Sequence, residues 1–328
     1  MSPLRTPVGT FGGTLKDIAV EDLAAGILRE VIARSGVDPE RIDDVAMAQS
    51  YANSETPCVG RWVALHAGLP LAVPGFQLDR RCGGGLQAVV TAAMMVQTGA
   101  ADVVIAGGVE SMSRIEHYST DIRWGKRTGS AQLHDRLDRG RERSQPVHRF
   151  GPVSGMIETA DTLAARYGVT REAADEFAFE SHRRAAAAWH TGRFDDEVVA
   201  VAVPHSKGPD ILFGTDEGVR PATTIDALAA MRPIRPDGVV TAGNSCQQND
   251  AASACLVVAD DKLNELWLEP IGYLLDWAAV GCDPRIMGIG PAPAVRKLLS
   301  RKGKSIDEID LVEINEASRA KSWPCSRN

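Results

Sequence analysis

The sequence predicts an α/β protein built in α/β/α layers. Three observations carry that expectation. Helix-like and strand-like apolar patterns alternate along the chain. A glycine-rich turn joins one extended segment to a helix and then to a wholly apolar strand. A stretch near the start is echoed near the end.

The first element is a helix over residues 20–34. Val20, Leu23, Ala24, Ile27, Leu28, Val31 and Ile32 recur at the spacing that lines one helix face. Gly36 ends it, and Asp38-Pro39 reads as an N-cap with proline at the first helical position, opening a short turn before the strand Val45-Ala46-Met47. Phe76 to Leu78 is extended and runs into Cys82-Gly83-Gly84-Gly85, after which an Ala-rich helix starts. Asp102-Val-Val-Ile-Ala-Gly-Gly108 then reads as a buried parallel strand that completes a βαβ unit. Residues 158–190 carry amphipathic helices, and 232–243 is a Pro/Gly-punctuated connection.

Residues 292–314 repeat the opening plan in one ungapped register. Gly36 falls on Gly303, Ile42 on Ile309, Asp43 on Asp310 and Val45 on Val312, while Asp38 meets Ser305, which opens a capping box with Glu308. Short helices of α/β proteins also look alike by chance, but several matches in one register favour a duplicated half.

Composition narrows the function classes. The chain has 328 residues, room for two domains or one large one, with 44% hydrophobic and 24% charged residues, the balance of a globular protein. Lys+Arg of 36 against Asp+Glu of 43 gives a net charge of -7, which argues against a nucleic-acid partner. No window approaches the run of about 18 apolar residues that a membrane span needs. The opening residues carry no secretory pattern, so a cytoplasmic protein with no membrane partner is expected. The six cysteines (Cys58, Cys82, Cys246, Cys255, Cys282, Cys325) form no CxxC pair and read as reduced thiols. The seven histidines, of which His205 is the last, offer no metal-ligand spacing, so no metal is expected.

Cys82 is the candidate nucleophile. Its glycines remove side chains that would block a substrate and tolerate the dihedrals of a sharp turn. The following helix offers unpaired amides and a dipole that favour a thiolate. A buried, inert thiol is the bland alternative. Cys246 and Cys255, in an Ala-rich segment, read as packing, and Cys58 as a surface residue. Glu110 and Asn249 read as braces for loops around the turn. Basic residues cluster from Arg123 to Arg149, and either an anionic ligand or a solvated surface loop accounts for them.

Taken together, these motifs resemble the thiolase family of acyl-CoA C-acyltransferases. The pieces that carry the resemblance are Arg5-Thr6-Pro7-x-Gly9-x-Phe11-Gly12-Gly13, the Cys82 turn, Gly107-Gly108-x-Glu110-Ser111-Met112-Ser113, Met156-x-x-Thr159-Ala160, Thr241-Ala242-Gly243-Asn244 with Asn249-Asp250, Gly288-x-Gly290-Pro291-x-Pro293-Ala294, and Glu313-Ile314-Asn315-Glu316-Ala317. The resemblance implies two similar halves, each with a mixed five-stranded sheet. It implies an acyl-Cys82 intermediate, with Asn315 beside an oxyanion-stabilising water. Met156, Arg220, Ala242, Gly243 and Cys246 would contact coenzyme A, whose thioesters are substrates, with no separate cofactor. A homodimer or homotetramer is implied. The expected division is residues 1–115 with 239–264 as the first half, 116–238 as an insertion covering coenzyme A, 265–317 as part of a second half, and 318–328 as an aberrant tail.

Departures from the family pattern shape the remaining expectations. After Ala317 the chain reads Ser318-Arg-Ala-Lys-Ser-Trp-Pro-Cys-Ser-Arg-Asn328, without the family's Gly-His-Pro and Cys-x-Gly segments, and Cys325 lacks the context to take the second cysteine's role. With GC-rich codons, restoring one nucleotide after Ala317 would give a continuation of the family's kind, so a one-base deletion is the expected origin of this tail. The expectation is therefore a C-terminally truncated chain with an incomplete second half and impaired activity, the alternative being a non-catalytic subunit that binds coenzyme A or a thiolase partner. Cys246-Gln247 replaces the family's Ser-Gly, which bears on acyl preference.

Overall fold

The computed structural model describes residues 3–151 and 155–316; the expected tail, with Ala317 and Cys325, lies outside the described residues. The chain begins β1 (Leu4–Arg5), β2 (Gly9–Thr10), α1 (Val20–Ser35), β3 (Asp44–Ala48), α2 (Val59–His66), β4 (Phe76–Leu78), α3 (Gly84–Gln97) and β5 (Val103–Ser111). It continues through β6 (His117–Tyr118), β7 (His134–Asp135), α4 (Arg136–Glu142), α5 (Val147–Phe150), α6 (Met156–Tyr167) and α7 (Arg171–His190). The last elements are β8 (Val201–Val203), β9 (Ile211–Phe213), α8 (Ile225–Ala229), β10 (Asn249–Val258) and α9 (Pro291–Lys302).

Two compact units result. The first takes in Met1–Glu116, Thr191–Gly218 and Gln247–Leu274. Its sheet runs β1-β10-β5-β3-β4 and counts six strands, because both β1 and β2 pair with β10. β3 is parallel to β4 and β5, whereas β10 runs antiparallel to β5. The segments Phe76–Leu78 and Val103–Ser111 are thus parallel as expected, but β3 lies between them, since α2 and α3 each carry the chain across the sheet. Residues 191–218, expected in the insertion, belong here: the amide of Arg5 donates to the Glu197 carbonyl at 2.9 Å, and that of Val199 to the Arg5 carbonyl at 2.8 Å.

Strand alternation sends unlike side chains to the two faces. On one, Val45 and Met47 join Val103 and Ile105 against Leu23, Ile27, Leu28 and Val31 of α1 and Val59 and Val63 of α2. Burying each of these large side chains stabilises the fold by about 1.5–3 kcal/mol. The other face is small: Ala46, Ala48, Val104 and Ala106 meet Ala88 and Ala92 of α3. Coverage on both faces explains why Val103 to Ala106 is continuously apolar. The predicted punctuation is present, with Gly36 left-handed (φ 69) after α1 and the Asp38 side chain accepting from the Glu40 amide at 3.0 Å.

The second unit takes in His117–His190, Val219–Cys246 and Leu275–Asn328. Ala160, Ala164, Val169 and Val240 form its small core. The echoed stretch reproduces α9, the left-handed Gly303 (φ 63) and the Ser305–Glu308 capping box. It does not reproduce the strand: among the described residues nothing pairs with Ile309 to Val312, and Leu311 and Val312 are exposed. A strand needs a hydrogen-bonded neighbour, and Val45, the counterpart of Val312, pairs with Ile105 of β5, in a strand that β4 flanks on its other side.

Two glycines in neighbouring helices test this packing. A Cβ at Gly26 of α1 meets nothing within 4 Å, whereas one at Gly60 of α2 would overlap the Phe76 carbonyl and come within 2.8 Å of the Val45 carbonyl oxygen. Gly26→Ala should gain about 0.8–1 kcal/mol of helix propensity. Gly60→Ala should lose about 1–3 kcal/mol through overpacking. Urea unfolding of the two variants checks the opposite signs; a Gly60→Ala protein as stable as its parent would contradict the close contact.

Candidate active site

The three parallel strands β3, β4 and β5 end on one side of the sheet, the side where open α/β sheets hold ligands. Cys82 lies just past the end of β4, in a single 3-10 turn from Arg81 to Gly83, and α3 starts at Gly84. Its side chain is exposed, so the buried alternative fails. The first turn of α3 leaves amide N–H groups without intrahelical acceptors, and Cys82 stands two residues before the first residue of that helix, at the positive end of its dipole.

The glycines do not supply unusual dihedrals, which corrects one expectation. Gly83 (φ −86) and Gly84 (φ −60) take conformations open to any residue, and the left-handed position is Arg81 (φ 48). The glycines are needed for space. A Cβ on Gly84 would come within 3.0 Å of the Ala48 Cβ; one on Gly108 would lie 3.2 Å from the Ala48 carbonyl oxygen and 3.8 Å from the Gly85 Cα. Bare backbone at both positions lets the start of α3 sit directly on the ends of β3 and β5.

A left-handed backbone costs a bulky L-residue about 1–2 kcal/mol, and contacts around Arg81 offset this. Its amide donates to Asp79 Oδ1 at 2.7 Å. Its guanidinium Nη1 donates to the Ser50 carbonyl at 2.7 Å and stands over the Tyr51 ring, 5.2 Å from the centroid. A charged hydrogen bond is worth about 1.5–3 kcal/mol, and an exposed cation–π contact about 0.5–1 kcal/mol. The 50–51 backbone is itself held from β5, where Glu110 Oε2 accepts from the Ser50 amide at 2.9 Å and the Tyr51 amide at 3.1 Å. Glu110 was expected as a brace; Arg81 was missed, because nothing local marks an arginine as a strained, gripped residue.

The other motifs of the first unit hold loops. The fully buried Asp250 accepts from the Ser113 amide at 3.0 Å and the Ser113 hydroxyl at 2.5 Å, and Ser113 Oγ accepts from the Gly12 amide at 2.8 Å. Asn249 Nδ2 donates to the Gly9 carbonyl at 3.0 Å. Arg5 pairs with Glu197 and Asp216, each at 2.8 Å. Glu217 accepts from the Thr10 and Thr14 amides at 2.8 and 3.0 Å. The acceptors Asp216 and Glu217 carry no pattern by which the sequence singles them out.

The remaining candidate residues belong to the second unit. Asn244 is buried and structural: Nδ2 donates to Asp175 Oδ1 and to the Val239 carbonyl, both at 2.9 Å, while Oδ1 accepts from the Thr241 amide at 2.8 Å. Asp175 also pairs with Arg171 at 2.7 Å. Gly243 approaches α8 so closely that a Cβ would lie 2.6 Å from the Leu228 Cδ2 atom. Ala242 and Cys246 are exposed on that turn, which corrects the reading of Cys246 as packing. Met156 is half-buried as the first residue of α6. Arg220 is exposed, its amide donating to His182 Nδ1 at 3.3 Å. Partial burial, and then the Arg220 charge, lower the His182 imidazole below its ordinary value. Asn315 is exposed in a segment without helix or strand. In the basic stretch, Lys126 meets Asp121 at 2.6 Å and Arg141 meets Asp138 at 3.2 Å, while Arg123, Arg127 and Arg143 stay exposed. Among the described residues no cluster of His, Cys, Asp or Glu suits a metal ion, and no helix is long and apolar enough to cross a membrane.

Comparison with known proteins agrees with the motifs. Residues 1–261 match the family model described as "Thiolase, N-terminal domain", and 268–328 match "Thiolase, C-terminal domain". A probable acetyl-CoA acyltransferase of Staphylococcus epidermidis is 40% identical over 326 residues, covering 98% of this chain and 81% of that protein. An acetyl-CoA acetyltransferase of Chromobacterium violaceum is 40% identical over 320 residues, 97% of this chain and 80% of its own length. The crystal structure of the Bacillus anthracis acetyl-CoA acetyltransferase matches with a TM-score of 0.93 at 37% identity, covering 99% of this chain and 81% of that one. None of these matches supports the expectation of a truncated, impaired or non-catalytic chain.

The cysteines differ enough to order their reactivity. Burial pushes the half-buried Cys255 thiol up, and partial burial followed by the nearby Asp283 charge does the same to Cys282. A raised pKa leaves less thiolate at a given pH, and the thiolate is the nucleophile. With iodoacetamide at pH 8, peptide mapping should find Cys255 labelled at least about tenfold more slowly than Cys82. Equal rates would contradict the burial.

Proposed function

The chain belongs to the thiolase family, and we propose on that premise that it transfers acyl groups from coenzyme A thioesters through a covalent thioester on Cys82. The observation that carries this reading is the exposed Cys82 thiol at the α3 N-terminus, beside the ends of the parallel strands. In the first half-reaction the Cys82 sulfur attacks the thioester carbonyl. The carbon–sulfur bond to coenzyme A then breaks, and the thiol proton leaves with the coenzyme A sulfur, giving acyl-Cys82 and free coenzyme A. In condensation, the deprotonated methyl carbon of an acetyl-CoA then attacks the acyl carbonyl, the bond to the Cys82 sulfur breaks, and a 3-ketoacyl-CoA forms. In thiolysis, the Cys82 sulfur attacks the 3-keto carbon of a 3-ketoacyl-CoA, the C2–C3 bond breaks, and the acetyl-CoA carbanion takes up a proton. A coenzyme A thiol then takes the acyl group from Cys82. Dividing one difficult displacement into two is the use of a covalent nucleophile.

Within this reading Asn315 holds a water that stabilises the oxyanion, and Met156, Arg220, Ala242, Gly243 and Cys246 line the path of coenzyme A. The likeness of sequence to acetyl-CoA acyltransferases supports an acetyl or short acyl group as the first one transferred. Both directions, thiolysis and condensation, share acyl-Cys82, and the protein is expected to work as a homodimer or homotetramer in the cytoplasm.

Incubation with acetyl-CoA followed by intact-mass spectrometry should find one added acetyl group per chain, mapped to Cys82. Cys82→Ala should remove the adduct and lower acyl transfer by about 10³-fold or more. An acetyl adduct that survives undiminished in the Cys82→Ala protein would sink the assignment.

A further inference from the structure

Arg81 precedes the nucleophile directly, and its backbone is left-handed at φ 48. For a long L side chain this conformation persists only where the surroundings over-determine it. Two contacts to one neighbouring turn do so: the guanidinium donates to the Ser50 carbonyl at 2.7 Å and covers the Tyr51 ring at 5.2 Å. That turn leaves β3 just after Ala48 and Gln49. The Gln49 amide donates to the Leu78 carbonyl at 3.1 Å, and the next two amides, of Ser50 and Tyr51, both point at one Glu110 carboxylate oxygen at 2.9 and 3.1 Å. Glu110 lies in β5, beyond the Ala48–Gly108 pairing of β3 with β5. A chain of contacts therefore runs from the rigid sheet to the residue that sets the direction of Cys82.

We propose that Glu110 and Arg81 are positioning residues for Cys82: Glu110 fixes the Ser50–Tyr51 turn through its two amides, and that turn grips the Arg81 guanidinium and so holds the left-handed backbone that aims the sulfur. The inference rests on the reading of Cys82 as the acylated nucleophile. Arg81 acts through the backbone, not by touching the acyl group, and this makes a distinctive demand. Glycine adopts the left-handed region without a grip, so it should replace Arg81 better than any other side chain lacking the guanidinium.

The test measures the rate of Cys82 acetylation by acetyl-CoA, read by intact mass, beside the rate of alkylation by iodoacetamide. Alkylation needs an exposed thiolate but no aim at a carbonyl carbon, and circular dichroism beside it reports whether each variant is still folded. Arg81→Met and Glu110→Ala should each slow acetylation about 10–100-fold, the scale of a displacement near 1 Å at a reacting group. Alkylation should stay within about twofold, because it depends on the thiolate and its exposure, which the helix N-terminus still provides, and not on aim. Arg81→Gly should lose only about two- to fivefold, the entropic cost of a more flexible residue. Glu110→Gln, which keeps an oxygen acceptor for both amides, should restore most of the rate. In the Arg81→Gly background, Glu110→Ala should cost little more, since the grip it supports is no longer needed; a coupling of that kind marks residues acting in one chain of contacts. Arg81→Gly as slow as Arg81→Met would overturn the proposal, and so would full additivity of the two substitutions. A wild-type protein that gains no acetyl group on Cys82 would instead overturn the acyl-Cys82 reading, and this inference with it.

Discussion

The near contact between the start of α3 and the ends of β3 and β5 is the constraint on which the rest of the first unit depends. Ala48, Gly84, Gly85 and Gly108 meet there, and a single methyl on Gly84 or Gly108 would press on the Ala48 Cβ or carbonyl oxygen. A close-packed interior has no slack to absorb such a group. The same economy of volume runs down the helix, where Ala88 and Ala92 lie against Ala46, Ala106 and Val104. Because α3 sits this low, its first turn reaches the rim of the sheet, and the residue two places before it, Cys82, emerges exposed beside three strand ends. Larger residues on this face would lift the helix and carry the thiol away from the rim.

Loops at that rim have few backbone partners, and carboxylates take their place. Glu110 accepts the amides of Ser50 and Tyr51; Asp250, that of Ser113; Asp216, that of Val8; and Glu217, those of Thr10 and Thr14. Charged acceptors make stronger hydrogen bonds than neutral ones, and each of these joins segments far apart in sequence. The motifs that carry the family resemblance are therefore mostly the hardware of loop fixation. Among the described residues of those first-unit motifs, Cys82 is the cysteine, and it is exposed.

The second unit uses the same device with a smaller core. Asp161 accepts the amides of Val239 and Val240 at 3.0 and 3.2 Å, and Asp175 holds both Asn244 and Arg171. Arg171 Nη2 in turn donates to the Leu228 carbonyl at 2.6 Å and the Met231 carbonyl at 2.9 Å. Both oxygens of the buried Asp175 carboxylate and two guanidinium nitrogens of Arg171 are hydrogen-bonded, the kind of pairing under which a buried charge is tolerated. The turn from Thr241 to Asn244 is thereby held by several hydrogen bonds, while Ala242 on it and Cys246 just after it remain exposed.

What the sequence by itself determined were the features that depend on neighbours a few residues away. The α1 stripe, the left-handed Gly36 and Gly303, the Asp38 cap and the Ser305–Glu308 capping box all follow from local periodicity and punctuation, and each is present. The exposed cysteine before a helix was legible for the same reason, since a strand, a glycine run and an apolar helix are contiguous. Only the tertiary structure decided matters that depend on distant atoms. It put β3 between β4 and β5, gave residues 191–218 to the first unit, and left Ile309–Val312 without a strand partner among the described residues. It also moved the strained dihedral from the glycines to Arg81, because the Ser50 carbonyl and the Tyr51 ring, some thirty residues earlier in the chain, are what hold it there. A dihedral preference is a property of one residue, but the contacts that override it exist only once separate segments have met.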